Sequence, residues 1–208
     1  MQKHKKKGRP PSLEKALFKL KKLGVFRTGD ATRFGISQPS LSRFVAEGKI
    51  RCVESQLYLH PDSRLTGQKL QFAVACAKFG PKSVIGGLTA LFYYGLIEQV
   101  PGQVWILVPY ERKNSDSLYR CLRTKTNPKE GVHHHQNFQI TNLERTLVEA
   151  FRYSSKIGLR IAFRAIREAV RQRKSSLQKI YQQAKKLKME KFIAKYWEAL
   201  VPESEALR

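Results

Sequence analysis

Gln38, Ser40, Ser42 and Arg43 are side-chain types that read the edges of nucleotide bases, and they fall within one short stretch. Arginine can donate twice to O6 and N7 of guanine, glutamine pairs with N6 and N7 of adenine, and serine bonds to either. Ser37 before them, and Lys49 and Arg51 after them, are types that hold a phosphate backbone. A second basic set, Arg160, Arg164, Arg167 and Arg171, is spaced i, i+4, i+7, i+11 and so shares one helix face. Only Glu168 lies within helical reach of that row, leaving four arginines in mutual repulsion. Two readings of the row stand: it tracks phosphates, or it is a solvated face.

Catalytic constellations fail one by one. Phe79-Gly80-Pro81-Lys82-Ser83 has the end of a phosphate loop without its upstream glycine, and Pro81 removes an N–H such a loop needs. No closely paired carboxylates follow Ser83–Gly87 to hold magnesium. His133, His134 and His135 cannot all point from a strand to one metal shared with Cys121, so they read as solvent-facing, pH-sensitive charge. The expectation is therefore no enzyme, no metal and no cofactor.

The base-reading set needs a helix held rigidly by its other face. Asp30 to Phe44 has the pattern of two short helices meeting at roughly 90–120°. Ala31 supplies the small contact, Gly35 the left-handed turn, and Ile36 enters the core. Leu41, Phe44 and Val45 form the buried stripe of the second helix, Ser37 caps it, Pro39 sits in its first turn and Gly48 ends it. Ile50–Val53 and Gln56–Leu59 alternate around Glu54-Ser55 as a hairpin. Gly24 to His60 thus predicts a helix-turn-helix with a β wing, its rivals being the same fold used for protein contacts alone and an ordinary three-helix core with a polar face. Ahead of it, Ser12 caps a helix with Leu13, Leu17, Leu20 and Leu23 inward and Lys15, Lys19 and Lys22 outward, stopped by Gly24.

The charge agrees with this reading. A formal +24 on 208 residues favours a polyanionic partner, nucleic acid first. Residues 1–60 hold 14 Lys/Arg against 4 acids and residues 156–208 hold 14 against 5, whereas 61–155 hold 12 against 7, so the excess sits at both ends. Lys5, Lys6, Lys7 and Arg9 lie in a cationic arm, residues 1–11, whose Lys7-Gly8-Arg9-Pro10 resembles the Gly-Arg-Pro core of AT-hook peptides. Minor-groove insertion, non-specific phosphate binding and a solvated tail all stay open for this arm. A hydrophobic content of 41% is enough for real cores, and no apolar run approaches a membrane span or a secretory leader. Cys52, Cys76 and Cys121 read as reduced, partly buried thiols of a cytoplasmic protein.

Pro61-Asp62-Ser63 is expected to close the first domain, giving an arm over 1–11, a winged helix-turn-helix over 12–62 and a second domain over 63–208. In the second, Gln68–Lys78 predicts a helix and Ser83–Leu96 a turn into a small-residue helix ended by Gly95. Strands are expected at Gln103–Pro109, at Leu118–Arg123 and near Phe138–Ile140. A helix capped by Thr141 or Asn142 follows, and then helices over 156–172, 176–188 and 190–200. Leu159, Phe163, Ile166 and Val170 are the expected core stripe of the first of these. The fold class is α+β: a winged helix-turn-helix, then a mixed α/β domain ending in a helical bundle.

Five segments over roughly residues 13–200 together resemble the AbiEi-type antitoxins of prokaryotic type IV, abortive-infection toxin–antitoxin systems. They are the winged helix, Ser83–Leu96, Val104–Pro109, Leu143-Glu144-Arg145-Thr146-Leu147-Val148-Glu149 and Arg173–Leu177. The family often has Asp where this chain has Glu149. The resemblance implies a repressor whose winged helix binds repeats in the operator of its own promoter. It further implies a co-transcribed nucleotidyltransferase toxin, opposed without a stable complex. A solitary regulator without a toxin, and a binder held by charge alone, are the alternatives; a nucleic-acid-processing enzyme ranks below both. Double-stranded DNA is the expected partner and a membrane is not, the protein being a monomer or weak dimer that can bind cooperatively.

Overall fold

The computed structural model describes residues 13–125 and 129–200, and the chain is α+β. The expectations for Lys5, Lys6, Lys7 and Arg9, and for the Ser12 cap, lie outside the described residues. Two compact units, Met1–Lys78 and Phe79–Arg208, divide the chain.

In the first unit, helix α1 (Leu13–Leu23) leads into strand β1 (Val25–Arg27), followed by α2 (Thr28–Arg33) and α3 (Gln38–Ala46). Strands β2 (Arg51–Glu54) and β3 (Leu57–Leu59) complete an antiparallel sheet of order β1-β3-β2, and α4 (Gly67–Phe79) runs to the division. The α2–α3 turn depends on Gly35, whose φ of +81° is closed to most other residues. Its N–H donates to Thr32 O and that of Ile36 to Ala31 O, which stops α2 and delivers Ile36 to the core. Gly48 repeats the device after α3 at φ +68°, with the Lys49 N–H donating to Phe44 O. Ala31, Ile36, Leu41 and Phe44 join Ala16, Leu20, Phe26, Ile50 and Tyr58 in one core, so α3 is fixed along its inner face.

Four expectations change here. Strand β1, at three residues, is too short to show alternation; its pairing makes β3 the central strand, buried at all three residues. The hairpin turns at Ser55-Gln56, with Gln56 at φ +61°, and not at Glu54-Ser55. In α1 Ala16 and Leu20 are buried with Leu17 packed half-buried beside them, while Leu23 in the last turn is exposed. The division falls at the end of α4 instead of at Pro61–Ser63, because α4 is tied back into the first unit. Arg27 Nε donates to Ala77 O, and Lys78 pairs with Glu54.

The second unit begins with β4 (Val84–Ile85), α5 (Gly87–Tyr93), β5 (Val104–Pro109), β6 (Tyr119–Thr124), β7 (Val132–His134) and β8 (Gln139–Thr141). Helices α6 (Leu143–Arg152), α7 (Ser154–Ile157), α8 (Leu159–Arg171), α9 (Leu177–Lys186), α10 (Glu190–Ala194) and α11 (Trp197–Leu200) follow. The sheet has order β6-β5-β4-β8-β7, parallel at β5–β6 and β4–β8 and antiparallel at β4–β5 and β7–β8. Helix α6 is the central strut: Asn142 caps it by accepting from the Arg145 N–H, and Leu143 to Phe151 are buried save Glu144. Helices α5, α8, α9 and α10 surround it. The expected helix over 156–172 is split by Gly158.

The inward stripe of α8 is Ala162, Ala165, Ile166 and Ala169, whereas Leu159 and Val170 are exposed and Phe163 is half-buried. Small side chains fill three of the four inward positions, so of the stripe expected from the sequence Ile166 is buried and Phe163 packs half-buried against the core, while Leu159 and Val170 turn outward. Cys52 is exposed on β2 in place of the partial burial expected; Cys76 and Cys121 are half-buried. No helix among the described residues is long and apolar enough to cross a membrane.

Candidate nucleic-acid interface

Leu41 and Phe44 pull one side of α3 into the core, so Gln38, Ser42 and Arg43 stand exposed on the other, with Ser40 half-buried. Ser37 and Ser40 hydroxyls lie 3.0 Å apart, and the Ser40 N–H donates to Ser37 Oγ. Ser42 Oγ donates to the Gln38 carbonyl at 3.3 Å. All three serines are thus engaged within their own helix turn, and reading a base would require their hydroxyls to exchange partners. Gln38 and Arg43 are the long side chains with reach beyond the helix surface.

Arg43 is not an isolated cation. Its Nε lies 3.6 Å from Glu47, and Lys49 Nζ approaches the same carboxylate at 2.7 Å. The hydrogen bond from Lys49 holds the Glu47 carboxyl below its ordinary range, helped by the charges of Lys49 and Arg43. Glu47 is therefore ionised at neutral pH and offsets part of the charge that a phosphate would meet. The guanidinium of Arg43 and the ammonium of Lys49 also rest over the Phe44 ring, at 5.6 and 5.7 Å from its centroid. Arg51, exposed on β2, completes the local basic set. Glu47 was not singled out by sequence, although its i+4 spacing from Arg43 is the signal that could have found it. Arg33, whose side chain is 83% exposed at the end of α2, is a further cation passed over.

The row Arg160, Arg164, Arg167 and Arg171 does lie exposed on α8, lining a cavity of about 640 Å³ with Ile161, Phe163 and Ala199. The expected lack of partners is corrected. Arg164 pairs with Glu98 at 2.8 Å, Arg171 holds Glu168 through two bonds of 2.9 and 2.5 Å, and Arg167 donates to the Ala199 carbonyl. The Arg171 and Gln172 hydrogen bonds bring the Glu168 carboxyl down to about 2. Glu98 is 66 positions from Arg164, a distance no helical spacing reveals. His133 and His134 are exposed on β7, and His135 stacks on Phe138 at 4.4 Å between centroids.

No family model matches the chain, and no curated protein matches it significantly.

Proposed function

We propose that this protein is a sequence-specific, double-stranded DNA-binding repressor whose first unit is a winged helix-turn-helix. Helix α3 enters the major groove, and the β2–β3 hairpin rests on the backbone as the wing. The observation that carries this reading is the division of α3 into two faces. Leu41 and Phe44 are buried, while Gln38, Ser42 and Arg43 face outward beside a hairpin bearing Arg51. A helix fixed by its core face and presenting Arg and Gln is preorganised for base-edge bonds. Lys49 and Arg51, with the arm cations Lys5, Lys6, Lys7 and Arg9, supply backbone attraction.

The biological role we propose is that of a non-enzymatic type IV antitoxin in the prokaryotic cytoplasm, repressing its own promoter. This rests on the resemblance of segments such as Leu143–Glu149, and a solitary regulator fits the same geometry. The test is a gel shift on the DNA upstream of the gene, against scrambled competitor and across a salt series. Preference for the upstream fragment at every salt concentration is the expected result. Equal affinity for all duplexes of one length would reduce the protein to a binder held by charge.

A further inference from the structure

The α8 arginine row borders apolar surface, and the DNA-binding reading uses neither. Its cavity of about 640 Å³ adjoins a second of about 480 Å³, and Ile161 and Arg164 line both, so the two form one groove along α8. In the second cavity the wall facing α8 is the loop from Ile97 to Gln103, between α5 and β5. Val100 on that loop is 67% exposed, and Ile161 and Phe163 of α8 are half-buried. Apolar side chains open to water in a concavity rimmed by charge mark an interaction surface. The groove sets four arginines against Glu98 and Glu168, an excess of two positive charges. Arg160 has no ion pair or hydrogen bond among the described residues. Arg164 meets Glu98 of the opposite wall at 2.8 Å, both side chains being well exposed.

We propose that this groove docks an acidic amphipathic helix of a partner protein. Its carboxylates pair with the arginine row, and its apolar side chains pack on Ile161, Phe163 and Val100. Charge complementarity selects the acid, and Glu98, reaching Arg164 from the facing wall, is the chain's own instance of that pairing. Exposed ion pairs of this kind contribute little and exchange partners readily, so Glu98 and Glu168 do not close the row to a ligand. A phosphate backbone would displace the same acids but leave the apolar wall uncovered, whereas a protein segment satisfies both halves of the groove. Arg160 to Arg171 covers about 16 Å of helix, or three turns. A partner helix with acids at the same i, i+4, i+7, i+11 spacing faces the row along its whole length.

Fluorescence anisotropy of the full chain with two labelled synthetic peptides tests this. One is a helix-forming peptide of about fourteen residues with Glu at those four positions and Leu on the adjoining face. The other carries Gln in place of each Glu. Saturable binding of the Glu peptide is expected, with the Gln peptide at least about tenfold weaker. Arg160→Gln/Arg167→Gln should weaken the Glu peptide about tenfold, and Val100→Glu, which sets an acid in the apolar wall, should weaken it too. Lys179→Ala/Lys185→Ala, which removes the same charge from exposed positions on α9, should leave it unchanged. Absence of saturation, equal affinity for the two peptides, or equal weakening by the arginine and lysine pairs overturns the proposal. So does an arginine pair that leaves the peptide bound but weakens a random-sequence duplex, which would make α8 a phosphate track. Every variant lies in the second unit, so operator binding through α3 is read separately by gel shift.

Discussion

In the proposed complex, Glu47 would set how much charge around α3 a duplex can use, since it holds both Arg43 and Lys49. Glu47→Gln should strengthen binding to cognate and scrambled duplexes alike. It should also steepen the salt dependence by about 0.9 for each additional phosphate neutralised. The pH dependence has a definite sign. The carboxyl is depressed in the folded protein, so the pairing persists at neutral pH and is lost as pH falls through that lowered value. Wild-type affinity should rise on acidification through that range by more than that of the Glu47→Gln variant. Arg43→Ala belongs to the opposite class. It should cost about 1–3 kcal/mol and relax discrimination at one base pair, read by competition among singly substituted duplexes. An unchanged preference would remove Arg43 from base readout. The outward placement of Arg43 and Gln38 was legible in the sequence because helical spacing decides it. The engagement of Ser40 and Ser42 was not, because a hydroxyl's choice between helix carbonyl, neighbour and solvent leaves no pattern.

Among the elements, those with punctuation were readable. Gly35, Gly48 and Gly95 each end a helix, and Ser37 and Asn142 each cap one. Strands β1, β4 and β7, of three, two and three residues, carry no measurable alternation and emerge only from pairing. The stripe of α8 was half legible: Ile166 and Phe163 pack as expected, whereas the alanines that replace Leu159 and Val170 on the inner face look neutral in sequence. The β4–α5 junction shows the same economy of space. A Cβ added at Gly86 would lie 1.8 Å from Leu107 Cδ1, and Leu107 is itself 1% exposed with nowhere to retreat. Gly86→Ala should therefore destabilise the second unit by about 1–3 kcal/mol through overpacking. Gly102→Ala meets nothing within 4 Å and should stay within about 0.5 kcal/mol of wild type. Denaturant midpoints for the two variants check this, and equal midpoints would contradict the tight junction.

At the scale of the whole molecule, the formal +24 is not the number of charges that would meet DNA in the proposed complex. Counterion release counts only the cations that replace condensed ions on phosphates. On α8, Arg164, Arg167 and Arg171 already have an acid or a carbonyl in the second unit, so a phosphate would compete with partners in place. Residues 1–11 carry five Lys/Arg and no acid. The slope of log affinity against log salt should accordingly respond to the arm and hardly to the row. Deleting residues 1–11 should flatten it by about 0.9 for each of those cations that touched a phosphate. Arg164→Gln with Arg167→Gln should change it by less than about one such unit. The reverse outcome, a slope set by the arginine row and indifferent to the arm, would move the main electrostatic contact to α8. It would also leave α3 without the backbone anchoring that the proposed base contacts need.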